Sequence, residues 1–461
     1  MSELATMTIH ELAPRIQRRE VSPVEVTQQV LDRIEALDGR LHSFITVPGE
    51  EAMDAARSAE RSIVAGNYLG PLHGVPLGIK DNIAVAGWPT TNASQLMCDF
   101  ITDYDATVVS RLRAAGAIIV GKNNMHEWAL GGTSAYSAFG AVHNPWDEAR
   151  VPGGSSGGSA AAVSASLIYA SVGTDYKGSI RIPASFCGVV GLKPTQGLVS
   201  RFGQLPATSA NTDHLGPIAR DVLDAALLLN VLAGYDPNDP TSIDSPDRDY
   251  LDGIDRGVAG LRIGVPRAHC FELASEEVRA VVQEAIEVLG SLGAAIVDVS
   301  IPSLQHVPVL EAAWVDEGQA YLLPFARHGP FADLGNRYRI VLNEFVRRSD
   351  VAKAGRVRTM IQQEYQAALA QVDLLAMPTN VSTPFLIAEA AAAPPARNPA
   401  RLTMWLNLVG APTISVPCGF SEGLPVGLML AGRHWEDDVV LRAAYAYEQA
   451  ATGGYKMPPI S

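Results

Sequence analysis

Residues 152–181 read PGGSSGGSAAAVSASLIYASVGTDYKGSIR. A Gly/Ser turn opens the stretch, and the Ala-rich run Ser159–Ser166 predicts a short helix behind it. Leu167–Gly173 is apolar and short enough for a buried strand, and it ends in a second Gly/Ser turn at Gly178-Ser179. Two polar turns bracketing one helix place hydroxyl groups near each other in space. The Gly/Ser/Pro-rich region Gly131–Gly158 is too long for an ordinary connection, and loops of that size are usually functional or disordered.

The same alternation continues outward in both directions. Ser22-Pro23-Val24-Glu25 is a capping box with Pro at the first helical position, and Val26, Val30, Ile34 and Leu37 follow at helical spacing. Helices are predicted over Glu50–Ala65, Ala106–Ala115, Val222–Leu232 and Glu276–Leu292. Pro71–Val85 reads as a strand entering a turn at Lys80-Asp81-Asn82. Leu261–Val265 and Ala295–Val299 read as buried strands. Further strands are predicted at Ala117–Val120, Asp373–Met377, Thr413–Pro417 and Gly427–Leu430. Residues 303–370 look helical and amphipathic. Strands and helices alternate without repeats or a linker, which predicts one large α/β domain over residues 1–461.

Of the 461 residues, 47% are apolar and 18% charged, so a large core is available and disorder is excluded. The net charge of −14 is spread along the chain, which argues against a nucleic-acid surface. Cys98, Cys187, Cys270 and Cys418 form no CxxC pair, which suits a reducing, cytoplasmic location. The ten histidines include no HExxH, so neither a metal nor a cofactor is expected. The N-terminal residues carry no apolar stretch of signal-peptide length, and AALLLNVLAG is about half a membrane span. No membrane partner is expected.

Three local motifs compete for the chemistry. Gly116–Lys122 fits GxxxxGK, but its centre AIIV is a buried strand that cannot wrap a phosphate. Gly153–Gly157 fits GxSxG, yet WDEARVP before it is polar and ends in proline, unlike the strand a nucleophile elbow needs. A Ser/Asp/His enzyme would have to recruit His214. Two turn serines with a lysine in a similar turn point instead to hydroxyl activation by lysine.

At this level the chain resembles the amidase signature family of C–N hydrolases. The matching stretches are Gly74–Asn82, Phe139-Gly140 with Asn144-Pro145, Pro152–Ala160, Gly173–Asp175 with Gly178–Arg181 and Pro183-Ala184, Cys187–Thr195, Asp213–Pro217 and Gly423–Leu428. The resemblance runs from about residue 8 to about residue 450, with a core motif region of about 70–220 and a variable substrate-pocket region of about 300–400. It implies a mixed β-sheet flanked by helices on both faces and a Ser–cisSer–Lys triad. Ser179 falls on the nucleophile, Ser155 on the residue with a cis peptide, and Lys80 on the base. Such a lysine must be buried so that its neutral form is available. The N–H groups of Tyr176, Lys177 and Gly178, continuing to Ser179, fall on the oxyanion hole, where each donor contributes on the order of 3 kcal/mol.

Neighbouring residues read as support. Ser156 and Ser159 hold the loop by hydrogen bonds and cap the following helix, Asp175 and Arg181 brace the second turn as an ion pair, Lys193 sits in a structural turn, and Cys187 packs as a small apolar residue. Trp128, Ala129, Leu130, Gly131 and Gly132, continuing to Thr133, are expected to line the substrate pocket together with the 303–345 segment, where Trp314, Tyr321 and Phe325 are candidates for the pocket wall or for the core.

The family usually reads Asp-Thr-Gly-Gly-Ser where this chain has Asp175-Tyr176-Lys177-Gly178-Ser179. Lys177 either points to solvent or places a cation at the site mouth. His126 stands where the family often has an acidic residue, and is expected to be structural or part of the pocket wall, not catalytic. The expectation is an amidohydrolase for a small or aryl-bearing amide, an acyl hydrazide, anilide or urea-type compound included. Its only partner would be that small molecule, with a homodimer left open. Two other readings stand: the A subunit of a glutamyl-tRNA amidotransferase, and a non-catalytic binding protein on the same scaffold.

Overall fold

The computed structural model describes residues 3–205, 212–314, 317–392, 398–451 and 455–460. Its strands are β1 (Phe44–Thr46), β2 (Pro76–Lys80), β3 (Ile118–Asn123), β4 (Ala170–Asp175), β5 (Val190–Lys193), β6 (His214–Ala219), β7 (Arg262–Val265), β8 (Ala295–Asp298), β9 (Leu374–Pro378), β10 (Thr413–Ser421) and β11 (Leu424–Ala431). All eleven join one sheet in the order β1-β3-β2-β4-β6-β5-β10-β11-β9-β7-β8. The sheet is mixed: β3, β2 and β4 run parallel, as do β9, β7 and β8, whereas β4–β6–β5–β10–β11–β9 pair antiparallel. Helices flank it, so the α/β class read from the alternation holds.

The parallel strands β2, β3 and β4 are wholly buried, as strands covered on both faces must be. Because β2 and β4 are parallel neighbours, with Ile79 paired to Val172, Lys80 and Asp175 emerge at the same carboxyl end of the sheet. Ligand crevices of open α/β sheets lie outside the carboxyl ends of their strands. The helix Gly157–Ser164 buries all eight of its residues. Its small side chains answer to contact: a Cβ on Gly158 would lie 2.2 Å from the Asn124 carbonyl oxygen and 2.6 Å from that of Ser43.

Several expectations need adjustment. That helix starts two residues before Ser159, because Gly157 N–H already finds the Ser134 hydroxyl at 3.1 Å. Ala295–Val299 is not a buried strand; as β8 it forms the sheet edge and is half exposed. β1, β5 and β6 have no counterpart in the sequence reading. The GxxxxGK segment is strand β3, and Lys122 is buried against Asp81 at 3.3 Å, donating also to Thr90 Oγ1 at 3.2 Å. No helix among the described residues is long and apolar enough to cross a membrane.

Lys122 therefore anchors the residue that follows Lys80. Asp81 in turn accepts from Thr91 N–H at 3.0 Å and from the Thr91 hydroxyl at 2.5 Å. Removing one member of a buried ion pair leaves the other charge uncompensated. Lys122→Met is expected to cost about 3–5 kcal/mol, read as a shift in the urea-unfolding midpoint. An unchanged midpoint would show that the pair does not hold this turn.

Candidate active site

Lys80 closes β2 and is completely buried. Its Nζ donates to Ser155 Oγ at 2.7 Å and to Thr174 Oγ1 at 2.6 Å. Burial pushes its pKa down to about 7, against the opposing charges of Asp213 and Asp175. The amine is thus poised to exchange a proton near neutrality. Ser155 follows a cis peptide bond from Gly154. A Cβ on Gly154 would lie 2.8 Å from both the Gly131 carbonyl oxygen and the Thr133 nitrogen, so segment 131–134 packs directly on this peptide. The Ser155 carbonyl accepts from His126 N–H at 3.0 Å and from the Ser134 hydroxyl at 3.2 Å.

Ser179 sits in the turn between β4 and the helix Arg181–Cys187. Ser156 N–H donates to the Ser179 carbonyl at 3.1 Å, which ties the two serine turns together. Ser179 is buried but keeps slight exposure, and its hydroxyl is not hydrogen-bonded to Ser155 or Lys80. Catalytic contacts are often long in unliganded enzymes.

Asp175 organises this second turn. Its carboxylate accepts from Gly178 N–H at 2.6 Å, from Ile180 N–H at 3.1 Å, and from Arg181 Nε and Nη2 at 3.0 Å each. Asn407 Nδ2 donates to the Asp175 carboxylate and carbonyl, both at 2.8 Å, and Asn407 Oδ1 accepts from Arg181 at 2.7 Å. Burial alone would raise the Asp175 pKa, but Arg181, Asn407 and Lys193 together hold it well below the carboxylate range. Gly178 adopts φ +122°, and a Cβ there would meet Thr403 Oγ1 at 2.0 Å, so only glycine fits. Thr403 also donates to the Lys177 carbonyl at 2.6 Å.

The structure brings Lys80 and Ser155 into contact and sets Ser179 in the adjoining turn. The Asp175–Arg181 ion pair is present and fully buried. The oxyanion expectation needs one amendment: the Gly178 N–H is already engaged by Asp175. Lys177 is half-buried rather than free in solvent, its Nζ 5.4 Å from the Tyr176 ring centroid. Ser156 stands at the N-cap but its side chain makes no cap bond; its hydroxyl instead ties the loop to β4, donating to the Thr174 carbonyl at 3.1 Å, and Ser159 accepts from Ser171 at 3.0 Å. Lys193 ends a strand, donating to the Ala411 carbonyl at 2.6 Å. Cys187 is buried, which pushes its thiol pKa up, as a small packing residue should show. His214 makes no catalytic pairing; burial and the Lys193 charge press its pKa well down, and its Nδ1 meets the Thr212 carbonyl at 2.8 Å.

Trp128 is fully buried, with ring centroids of Phe325 at 6.4 Å and Phe331 at 6.3 Å. Ala129 and Leu130 are buried beside it, whereas Gly131 and Gly132 keep partial exposure. The side chains of Trp314 and Tyr321 lie outside the described residues. His126 is held structurally: Nε2 meets Asp333 at 3.0 Å, and Nδ1 accepts from Ser134 N–H at 3.2 Å. Among the described residues, His10, Asp221 and Asp224 have metal-compatible spacing. Asp224 already accepts from the backbone N–H groups of Ile9 and His10, and Asp221 from that of Asp224. Sequence reasoning missed Thr174, although it lies inside the quoted motif, and missed Thr403 and Asn407, which no nearby motif marks. If the Asp175 network holds the Ser179 turn, Asp175→Asn will strand the Arg181 charge and lower stability by about 3–5 kcal/mol. Differential scanning calorimetry reads this directly, and a wild-type melting curve would dismiss the network as a support.

Comparison with known proteins extends the geometry to the whole chain. The Amidase family model matches residues 25–441. The chain is 42% identical over 484 residues to the protein from Moorella thermoacetica that is named as the A subunit of glutamyl-tRNA(Gln) amidotransferase, covering 99% of each. The crystal structure of the protein of that name from Thermotoga maritima superposes with a TM-score of 0.84 at 35% identity, covering 100% of this chain and 99% of that one. A structure of a vestigial protein complex, related to the origins of an s-triazine catabolic enzyme, superposes with a TM-score of 0.91 at 31% identity, over 98% and 100%.

These findings overturn two expectations. A stand-alone amidase for small or aryl-bearing amides is not what the relatives are named for; they are amidotransferase subunits. Triad motifs report the bond attacked and leave the fate of the released nitrogen unstated. The expectation of a small-molecule partner alone, with no nucleic acid, fails too, because those relatives are named for glutamyl-tRNA(Gln). Net charge describes one chain and cannot report what an assembly of chains holds. With the family model spanning residues 25–441 and the relatives covering both ends, the chain belongs to the amidase signature family, enzymes acting on carbon–nitrogen bonds other than peptide bonds.

Proposed function

We propose that this protein is the A subunit of a glutamyl-tRNA(Gln) amidotransferase, freeing ammonia from an amide donor such as glutamine for use by a companion chain on the tRNA-bound glutamyl group. The contact of buried Lys80 with Ser155 at 2.7 Å carries the hydrolytic half of this reading. Likeness to the named relatives over 99% of both chains supports the transfer half. Free, dispersed cysteines and a tRNA partner fit a cytoplasmic location.

In the reaction, neutral Lys80 takes the Ser155 proton as Ser155 takes that of Ser179, and Ser179 Oγ attacks the amide carbonyl. Backbone N–H groups of the 176–179 turn, other than that of Gly178, face the developing oxyanion. Collapse of the tetrahedral intermediate breaks the C–N bond, and the same relay returns a proton to the leaving ammonia. Water then attacks the Ser179 ester and frees the acid.

The test is glutamine-dependent conversion of glutamyl-tRNA(Gln) to glutaminyl-tRNA(Gln) by the chain with its companion chains. Ser179→Ala is expected to lower the rate by about 10³-fold or more. The neutral amine is the active form, so kcat/KM should rise as pH passes through about 7 and then level off. Asp213 raises the Lys80 pKa, so Asp213→Asn should move that rise to lower pH. Undiminished transfer in Ser179→Ala, or rapid turnover of small amides with no glutaminyl-tRNA formed, would reject the proposal.

A further inference from the structure

The helix Leu334–Asn343 turns two different faces outward and inward. Asn336 and Ile340, four residues apart, are buried, as the inner face of a packed helix should be. On the outer side Leu334, Tyr338 and Leu342 recur every four residues and Phe345 follows three later. They are 55%, 66%, 63% and 77% exposed. Single exposed apolar residues are ordinary, but four along one ridge form a patch of the kind that marks an interaction site.

The surroundings of this ridge differ in charge from the rest of the protein. Between positions 327 and 358 stand eight lysines and arginines against three acidic residues, in a chain of net charge −14. Arg339 within the helix and Arg347 and Arg348 just after it are exposed, Arg347 with Asp350 as its partner at 2.9 Å. An apolar centre with a cationic rim is complementary to an acidic amphipathic helix, whose apolar face would lie on the ridge and whose carboxylates would meet the arginines. From Leu334 to Phe345 the ridge spans about 16 Å at helical rise, matching roughly three turns of such a helix.

We infer that this ridge docks an acidic amphipathic helix of a companion protein. A second copy of the chain would bring the same basic rim against itself, and like charges oppose that pairing. Phosphate backbones are met by cations along the contact, whereas here the cations flank an aliphatic and aromatic centre. The docking face is wired to the site. Asp333 caps this helix through the N–H groups of Gly335 and Asn336 while its other oxygen meets His126, whose own N–H donates to the Ser155 carbonyl. Glu127 accepts from the N–H groups of Ala332 and Asp333 at 2.8 and 3.0 Å. The inference rests on the amidotransferase reading only for the presence of a companion chain.

The test uses the full-length protein and two fluorescent synthetic helices of about 18 residues. They share a Leu/Ile/Phe face, and one is flanked by Glu, the other by Lys. The Glu helix should bind at least about tenfold more tightly than the Lys helix, and salt should weaken it. Leu342→Asp should abolish binding, and Arg339→Glu with Arg348→Glu should weaken it about tenfold or more, with circular dichroism unchanged. Tyr338→Ala provides a milder second variant. Equal binding of both helices, or of neither, overturns the proposal. So does binding of bulk tRNA or of phosphatidylserine vesicles that the arginine reversals abolish, or a concentration-dependent doubling of mass that Leu342→Asp abolishes. Peptide binding is read without turnover, so its failure and a failed transfer assay are separate results.

Discussion

The site depends on one buried carboxylate. Asp175 ends a central strand inside the protein, where an ionised group is tolerated only with partners enough to replace water. It has them in Arg181, Asn407 and the backbone N–H groups of Gly178 and Ile180. Those partners fix where the chain goes after β4, and hence where Ser179 stands. Opposite it, Lys80 sees the same low dielectric with far less compensation. One environment therefore holds the aspartate charged and leaves the lysine ready to lose its charge. The contrast lies in the number of counter-charges and donors, not in depth of burial.

The glycines and small residues around these groups follow from the same crowding. Gly154 faces the 131–134 segment, Gly158 faces two carbonyl oxygens, and Gly178 faces Thr403. Each marks a place where two stretches of chain come closer than any side chain allows. The Gly/Ser richness that looks like flexibility in the sequence is, in the folded protein, the signature of tight contact.

Much of this was legible in the residues themselves. Lys80 at a strand end, two serine turns separated by a helix and a strand, and the Asp175–Arg181 pair were all open to local reading, because periodicity and turn chemistry act over a few residues. Thr403 and Asn407 were not, since their roles exist only after strands far apart in sequence become neighbours. β6 was hidden for a related reason: its Gly216 and Pro217 break the usual strand pattern, and its pairing with β4 supplies what its composition does not. The assignment to a small-molecule amidase failed at another level. Motifs shared across the family point to the bond attacked, and nothing local in one chain records what its relatives do with the nitrogen.

The distance along the chain between the parts of the Ser179 turn has a consequence for biosynthesis. Thr403 closes on the Lys177 carbonyl across 226 residues, and Asn407 on the Asp175 carbonyl across 232. Strand β5, too, lies between β6 and the late strand β10. Chains emerge from the ribosome N-terminus first, and contacts so distant in sequence must wait for the later segment. A nascent chain that already carries Lys80, Ser155 and Ser179 still lacks the groups that hold the turn bearing Ser179. Order at Ser179 is thus deferred until translation is nearly complete, and the protein is assembled around this turn rather than outward from it.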